Sequence, residues 1–490
     1  MKHLAIDSCK TETIEAGTFN GLSGLRSLKL LKLKIAPNES VEMPNDIFAG
    51  LTSLEALEIP RNGLQRIPKS ISSLRNLTRF DASYNALSSL GPTKLVELDK
   101  LRVIILDGNA YTYLNYARFP TRLTRLSVRD NVISVMFQET DDERELIYEA
   151  IDLSGNKIEF LADTVLLNSV RMVNLSSNLI RIISDGALAQ KNRLDWIDLT
   201  NNRLNDIELK AIAVYNPGVG RVRIFAARNP LRCSCALEWM IEEHRQASYQ
   251  VAIADLDKVT CTPLRSSIYV SLSSIDPSTL LCEYRGAVCH EDCTLQCCRS
   301  PNCSCRSICP KQCTCWASRE GRNIVDCSNA KPSFDIRSIP NRTTEAHLSG
   351  SYFPSLKKGD FLDKTRLTFL NLSLSSIQRL EDEAFQGANH LKTLDLSYNF
   401  LTKFSGSELD WHVKLKQLNL HNNQLSDFNQ KTFQGFHSLE NVTLGGGNRY
   451  ICDCLSNSAI VKWFRVPKNA EKVTDIDDVF CAEHNTISFN

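Results

Sequence analysis

One eleven-residue phrase, LxxLxLxxNxL, recurs along the chain and constrains its fold more than any other feature of the sequence. It appears as LEALEIPRNGL at 54–64 and LTRFDASYNAL at 77–87, and it continues with a period of 22 to 27 residues. After a stretch dense in cysteine it returns as LTFLNLSLSSI, LKTLDLSYNFL and LKQLNLHNNQL. Such self-similarity indicates a stack of equivalent units rather than one globular core.

The phrase is that of the leucine-rich repeat. The two leucines of LxL point inward from a short strand, while the residue between them faces solvent. One repeat cannot bury its apolar edge alone, so repeats stack and their strands join one parallel sheet. The predicted fold class is α/β: a leucine-rich-repeat solenoid of two curved arrays with a parallel concave sheet, joined by disulfide-rich caps.

The asparagine of the phrase is expected inside the turn after each strand, where buried backbone groups need hydrogen-bond partners. A column of such amides forms a ladder along the solenoid. The opening LAIDSCKTETI places Cys9 in the asparagine position, as a reduced thiol with no cysteine nearby. The ladder asparagines are identified as Asn38, Asn62, Asn85, Asn109, Asn131, Asn156, Asn178, Asn202, Asn229, Asn399 and Asn423.

Cysteines and glycosylation sequons indicate an extracellular protein. The chain of 490 residues holds 18 cysteines, many in CxC spacing, which is typical of an oxidising compartment. Its 57 basic and 56 acidic residues nearly cancel, so the chain has no large net positive charge that would favour binding to nucleic acid or to an anionic membrane. Seven N-x-S/T sequons predict glycosylation at Asn38, Asn76, Asn174, Asn302, Asn341, Asn371 and Asn441.

The chain carries neither an apolar signal-peptide region at its start nor an apolar run of about 18 residues that could span a bilayer. An oxidised, glycosylated protein needs a route to the cell surface. The sequence is therefore interpreted as a piece of a longer protein, cut at both ends.

A cysteine-dense stretch from Cys282 to Cys327 divides the chain. Solenoid ends expose apolar core and need caps, and the cysteines on either side of this stretch fit one cap that closes and another that opens. The predicted domains are a first array 1–229, its C-terminal cap 230–282, a cysteine-rich juncture 283–308, an N-terminal cap 309–340, a second array 341–448 and an incomplete second C-terminal cap 449–490.

Metal binding and catalysis are both disfavoured by the motifs. Closely spaced cysteines suit zinc, but the sequons and the cap spacings require oxidised sulfur. The sequence contains no HExxH, no GxSxG and no glycine-rich phosphate loop. We expect no cofactor, no metal and no enzymatic activity.

Two leucine-rich arrays joined by back-to-back caps, with a juncture that reads CEYRGAVC through CPKQCTC to VDCS, resemble the ectodomain of invertebrate Toll receptors. The resemblance implies the extracellular part of a single-pass plasma-membrane receptor with a cytoplasmic TIR domain, acting in innate immunity or development. It also implies a secreted cystine-knot protein of the Spätzle type as ligand, and a homodimer on ligand binding.

The cap pattern of this family implies specific disulfides. Six cysteines of the juncture allow 15 pairings among which the sequence does not choose, namely Cys289, Cys293, Cys297, Cys298, Cys303 and Cys305. Cys454 is expected to be unpaired. The implied bonds are Cys233–Cys261, Cys235–Cys282, Cys309–Cys315, Cys313–Cys327 and Cys452–Cys481.

The ligand surface is expected on the sheet near the start of the first array. Asn174 and Asn371 each lie between two strand leucines, so glycans there would cover the sheet around them. Trp196 is a solvent-facing aromatic on the same face, either a contact anchor or an ordinary surface residue. The candidate ligand-binding residues are Glu58, Arg61, Arg79, Asp81, Tyr84, Arg125 and Arg129.

Two other functions fit the sequence. A secreted or matrix leucine-rich-repeat protein for adhesion or guidance would share the arrays and caps, and so would a soluble decoy receptor. A transmembrane helix and a TIR-like pattern beyond Asn490 would favour the receptor.

Overall fold

The fold is described from a computed structural model of the chain. It comprises two compact units, Met1–Pro277 and Ser278–Asn490, each of which is described by itself. The structure describes residues 1–8, 14–33, 43–138, 145–214, 220–246, 250–285, 308–409, 414–428, 432–433, 436–451, 459–482 and 484–488.

The first unit is a solenoid whose short strands join one large sheet. Eleven strands hydrogen-bond in the order β1-β2-β3-β4-β5-β7-β9-β11-β13-β14-β16 and are parallel. The strands are β1 (His3–Asp7), β2 (Ser27–Leu31), β3 (Ala56–Glu58), β4 (Arg79–Asp81), β5 (Val103–Ile105), β6 (Tyr113–Asn115), β7 (Arg122–Ser127), β8 (Val135–Phe137), β9 (Ile147–Asp152), β10 (Phe160–Leu161), β11 (Met172–Asn174), β12 (Ile182–Ile183), β13 (Trp196–Asp198), β14 (Val222–Phe225), β15 (Leu231–Arg232), β16 (Val251–Ile253), β17 (Thr260–Thr262) and β18 (Val270–Ser271).

The register of this sheet follows from the alternation in the repeat. Leu57 pairs with Phe80, Phe80 with Ile104, and Ile104 with Leu126, and all four side chains are fully buried. The residues before and after each of these face outward, because successive side chains of a strand point to opposite faces. The predicted solenoid and its parallel sheet are thus confirmed.

The return segments of the coils fill the core from the side opposite the strands. Phe19 and Phe48, from neighbouring coils, are buried with ring centroids 6.1 Å apart. Two further two-stranded parallel sheets, β6–β8 and β10–β12, lie in these segments. Helix α1 (Leu209–Ile212) lies in the return segment before β14, whereas helix α2 (Glu238–Gln246) and the small sheet β15-β17-β18 follow β14.

The asparagine ladder forms as the sequence predicts. The Nδ2 group of Asn178 donates to the carbonyls of Leu153 and Leu175, both at 3.0 Å, and its Oδ1 accepts the backbone N–H of Ile158 at 3.1 Å. Asn156 makes the same contacts one coil earlier. Each amide therefore bridges two successive coils and pairs backbone groups that would otherwise be buried without partners.

The ladder differs from the prediction at one position near its start. Asn38 was assigned to the second coil, but the pairing of Leu28 with Leu57 aligns Leu33, not Asn38, with Asn62. Leu33 is buried, and its N–H donates to the Oδ1 of Asn62. The prediction was wrong because the spacing of asparagines does not by itself fix the register between strands. Cys9 lies outside the described residues.

The second unit repeats this architecture with eight strands in its main sheet, ordered β19-β20-β21-β22-β24-β26-β27-β28. The strands β21 to β28 of this sheet are parallel, whereas β20 pairs antiparallel with both β19 and β21. The elements are β19 (Cys282–Tyr284), β20 (Thr314–Ala317), β21 (Asn323–Asp326), β22 (Glu345–His347), β23 (Ser355–Leu356), β24 (Phe369–Asn371), β25 (Arg379–Leu380), β26 (Thr393–Asp395), β27 (Gln417–Asn419), β28 (Asn441–Thr443), α3 (Ala459–Phe464), α4 (Pro467–Ala470), β29 (Phe480–Cys481) and β30 (His484–Ser488).

Its ladder contains serines as well as asparagines. Ser375 occupies the position of the asparagine and donates its hydroxyl to the carbonyl of Leu348 at 3.1 Å. Ser351 accepts the N–H of Ala330 at the same distance. Asn448 ends the ladder with contacts to Leu425 and Leu420.

Disulfides join the cap cysteines. Cys233 is bonded to Cys261 in the first unit, and Cys309–Cys315 and Cys313–Cys327 form in the second. These are pairings that the resemblance implies. Cys235, Cys282 and Cys481 are also disulfide-bonded. The pairings Cys235–Cys282 and Cys452–Cys481 stay predictions, and Cys452, Cys454 and the six juncture cysteines lie outside the described residues.

Within the described ranges, no helix has both the length and the apolar character needed to cross a bilayer. Among the same residues, no three histidine, cysteine, aspartate or glutamate side chains are gathered closely enough to hold a metal ion.

Candidate ligand-binding face

Two rows of side chains cover the exposed face of the large sheet in the first unit. One row consists of the residues that precede each buried strand centre, and the other of those that follow it. Strand neighbours lie about 4.8 Å apart, so β3, β4, β5 and β7 present a patch roughly 14 Å long. Five of the seven predicted ligand-binding residues lie on or directly after β3 and β4, and the remaining two lie on or directly after β7.

Glu58 is the centre of an ion-pair network on this patch. One of its oxygens accepts from Nε of Arg79 at 3.2 Å, and the other lies 3.6 Å from Nζ of Lys29. Arg79 also reaches Asp81 at 3.7 Å on its own strand. These groups occupy adjacent strands because Lys29 pairs in register with Glu58, and Glu58 with Asp81. The network fixes long side chains that would otherwise sample many rotamers.

Arg61 and Tyr84 form a second contact at the edge of the patch. The Arg61 guanidinium lies 4.2 Å above the centre of the Tyr84 ring, which is a cation–π geometry. Both residues precede a ladder asparagine and have a positive φ, 57° and 54°, so their side chains project from equivalent turns. Gly108 occupies the next such turn, and a Cβ there would lie 2.4 Å from the Tyr84 ring. The Tyr84 ring thus lies between the Arg61 guanidinium and the backbone of Gly108, which has no side chain.

Arg125 and Arg129 extend the patch to β7. Arg125 is exposed and makes no ion pair with any residue that the structure describes. Arg129 contacts the carboxylate of Asp130 at 3.7 Å, and its backbone N–H donates to Asp107 at 2.9 Å. Asp107 also accepts the Ser127 hydroxyl at 2.6 Å. Burial raises the pKa of Asp107 above its ordinary value, opposed by these two hydrogen bonds.

Sequence reasoning missed three residues of this patch. Lys29 belongs to the coil whose ladder position was misassigned, so its link to Glu58 was not apparent. Val103 and Ile105 lie on β5, between the charged residues of β4 and β7, and both are half-buried. The alternation V-I-I at 103–105 predicts that their side chains face outward, but an aliphatic residue on the sheet face carries no sequence signal for ligand binding.

The sequon at Asn174 coincides with a recurring turn. Its Oδ1 accepts the N–H of Ser176 at 3.0 Å. In the preceding coil the Asp152 carboxylate accepts two hydrogen bonds from Ser154, from the backbone N–H at 3.1 Å and from the side-chain hydroxyl at 2.7 Å. Asn371 makes both contacts with Ser373 in the second unit. The N-x-S motif at these positions therefore has a structural role whether or not a glycan is attached.

The other described sequons lie in different surroundings. Asn76 donates to the carbonyl of Thr52 at 2.9 Å and accepts from Lys100 at 2.7 Å. Asn341 and Asn441 are exposed, and Asn341 accepts from Lys364 at 3.0 Å. The predicted sequons Asn38 and Asn302 lie outside the described residues. Glycosylation at all seven positions stays a prediction.

Trp196 lies three strands beyond β7 in the sheet. It is half-buried and packs edge-on against Phe225, with ring centroids 6.3 Å apart. Arg223 is its partner in register on β14. The structure therefore gives this ring a packing partner on the sheet and does not bring it into the charged patch.

Comparison with known proteins agrees with the fold. Models described as "Leucine rich repeat" match residues 52–111, 149–204 and 365–411, and a second such model matches 414–436. Toll-like receptor 7 of Drosophila melanogaster is 26% identical over 275 residues, which is 54% of this chain and 18% of that protein. Human leucine-rich repeat-containing protein 3B is 39% identical over 94 residues, 19% of this chain and 36% of that protein.

The chain also aligns with a chain in a solved structure of the Drosophila Toll–Spatzle complex. The alignment covers 98% of this chain and 62% of the matched chain, with 19% identity and a TM-score of 0.44. The solenoid, its ladder and its caps define a leucine-rich-repeat protein. Within that class, the chain resembles part of a Toll-type ectodomain, as the juncture motifs indicated. It spans only 18% and 36% of the lengths of the two curated relatives named here.

Proposed function

We propose that this chain is the extracellular ligand-binding region of a Toll-type receptor of innate immunity or development. Its ligand is a secreted cystine-knot protein of the Spätzle type, bound on the sheet face of the first unit. Signalling by a homodimer would require transmembrane and TIR segments of a longer protein. The role is one of binding, without catalysis. The observation that carries the proposal is the patch on β3, β4, β5 and β7.

This patch has the composition of a protein-binding surface. Val103 and Ile105 supply an apolar centre, and charged residues of β4 and β7 surround it. Protein interfaces commonly have an apolar core enclosed by a polar rim, with arginine and tyrosine enriched. The Arg61–Tyr84 pair adds both residue types at the edge.

The charges of the patch predict a feature of the ligand. Glu58, Arg79 and Asp81 already form ion pairs with one another. We therefore expect them to hold the side chains of the patch in place rather than to attract a charged ligand. Arg125 makes no ion pair among the described residues and is exposed. We therefore expect an acidic side chain of the ligand opposite Arg125, since an unpaired cation in an interface would otherwise lose its water without compensation.

The experiment measures binding of a recombinant Spätzle-type cystine-knot protein to the chain at two salt concentrations. Arg125→Glu and Val103→Asp are each expected to lower affinity by at least about tenfold. Arg193→Glu is the matched control, because Arg193 is exposed and makes no ion pair among the described residues. Screening predicts a smaller effect of Arg125→Glu at high salt.

An equal effect of Arg125→Glu and Arg193→Glu would exclude the patch as the binding surface. Binding lost instead through substitutions around Asn371 would place the site on the second unit. No binding of any cystine-knot protein would favour the adhesion or matrix function.

A further inference from the structure

An apolar stripe with charged ends runs along the first unit, away from the sheet face. It is formed by the fourth residue after the ladder asparagine in successive coils. In seven consecutive coils these residues are Arg66, Ser89, Tyr113, Val135, Phe160, Ile182 and Asp206. The side chains at the third to sixth of these positions are large and apolar, and between 48% and 60% of each is exposed.

The four apolar residues occupy equivalent positions in four successive coils, and between the second and third of these coils the N–H of Lys157 donates to the carbonyl of Ile133 at 2.9 Å. Tyr113 pairs with Val135 across β6 and β8, and Phe160 pairs with Ile182 across β10 and β12. Phe137, also exposed, stacks on Tyr113 with ring centroids 6.0 Å apart. These five residues are called the apolar stripe below.

The outward direction of the stripe follows from strand geometry. Leu114, Met136 and Leu161, which follow Tyr113, Val135 and Phe160, are buried in the core, and Ile183, which follows Ile182, is half-buried. Alternation then turns the stripe residues toward solvent. The stripe exposes roughly 400 Å² of apolar surface, and contiguous patches of that size commonly mark an interaction surface.

The charges at the two ends of the stripe indicate which partner would bind it. Arg66 lies at one end and Asp206 at the other, both exposed, and neither makes an ion pair with a residue that the structure describes. Val135 is the fourth of the seven positions and therefore the midpoint. If a second, identical stripe is laid antiparallel on the first, Arg66 of each copy faces Asp206 of the other.

We propose that the apolar stripe binds the same stripe of a second copy of this chain, antiparallel, with Val135 on a two-fold axis. A two-fold interface uses the same surface on both copies, which a stripe with opposite charges at its ends satisfies. Tyr113 of one copy then packs on Phe160 of the other, and two Arg66–Asp206 ion pairs enclose the apolar centre.

Flanking charges are compatible with this pairing. Glu159 and Arg181, which precede two of the stripe residues, form an ion pair with each other within one copy. In the antiparallel arrangement they face Thr112 and Ser88 of the second copy, which are uncharged. Neither Glu159 nor Arg181 therefore meets a like charge of the second copy.

The area sets the expected strength of the contact. Stable interfaces bury about 800 Å² on each partner, about twice what the stripe offers. The dimer is therefore expected to be weak, with a dissociation constant in the micromolar range. The contact does not involve the β3, β4, β5 and β7 patch, so it is independent of the ligand proposed above.

Sedimentation velocity of the 490-residue chain, from about 1 to 200 µM without ligand, tests the proposal. A reversible monomer–dimer equilibrium is expected. Val135→Glu places two like charges at the axis and is expected to abolish it. Ile268→Glu is the control, since Ile268 is 70% exposed and lies outside the stripe. A chain that stays monomeric to 200 µM, or equal effects of the two variants, would overturn the proposal.

Charge exchange tests the antiparallel register. Arg66→Asp and Asp206→Arg are each expected to weaken the dimer about tenfold, because each turns two attractive contacts into repulsive ones. The double variant R66D/D206R is expected to recover wild-type affinity. An equimolar mixture of the two single variants should associate more tightly than either alone. The antiparallel pairing would be excluded if neither the double variant nor the mixture of single variants showed restored dimer affinity.

Discussion

Replacing one ladder asparagine would show how much the solenoid depends on this column of amides. Asn178 is buried and lies between two coils. Asn178→Ala removes its donations to the carbonyls of Leu153 and Leu175, and leaves the N–H of Ile158 without its acceptor. These losses are not equivalent, because the three backbone groups differ in their remaining partners.

The two carbonyls each keep another hydrogen bond. Leu153 still accepts from Asn156, and Leu175 still accepts from Asn202. The Ile158 N–H is bonded only to Asn178 in the structure and becomes a buried, unpaired donor. Such a group costs about 1–3 kcal/mol, and the cavity left by the amide adds to it. The expected loss of stability is about 3 kcal/mol, which lowers the melting temperature by roughly 6–12 °C.

Thermal melting together with hydrogen exchange at the Ile158 amide measures the effect. Asn205→Ala is the matched control: Asn205 is exposed, and a surface change of this kind is expected to cost no more than about 0.5 kcal/mol. Asn178→Ser is expected to lose somewhat less stability than the alanine variant, since Ser351 and Ser375, at equivalent positions, donate to a carbonyl of the preceding coil as Asn178 does to Leu153.

The reasoning would be refuted if Asn178→Ala and Asn205→Ala lowered the melting temperature equally. Unchanged exchange at Ile158 in the alanine variant would also refute it, because the amide would then have a partner other than the ladder.

Three further changes test separate features. Cys327→Ser opens a disulfide between cysteines 14 residues apart and is expected to cost about 3 kcal/mol in denaturant unfolding; an unchanged midpoint would contradict this. Asn174→Asp removes the sequon but keeps the oxygen that accepts in its turn, so the glycan mass should disappear while the melting temperature stays constant. Gly108→Ala is expected to destabilise more than Gly91→Ala, because both have a positive φ but only the first meets the Tyr84 ring. Equal losses at the two glycines would exclude that clash.

Much of the candidate ligand-binding face could be predicted from the sequence. The alternation of the repeat placed Glu58, Arg79 and Asp81 outward on neighbouring strands, because the side-chain period of a strand is two. Their ion pairs and the stacking of Arg61 on Tyr84 depend on the distance between coils and on rotamers. Neither is encoded in a single repeat.

The sequence by itself determined the solenoid, because an apolar phrase that recurs about every 24 residues leaves each unit with an edge that only its neighbour can cover. It could not determine register where the phrase is imperfect. Leu33 rather than Asn38 occupies the ladder, since the hydrogen bonds between strands fix which residues align. Tertiary structure alone also decided that Tyr113 and Ile182 are exposed, because burial depends on what the next coil places beside them.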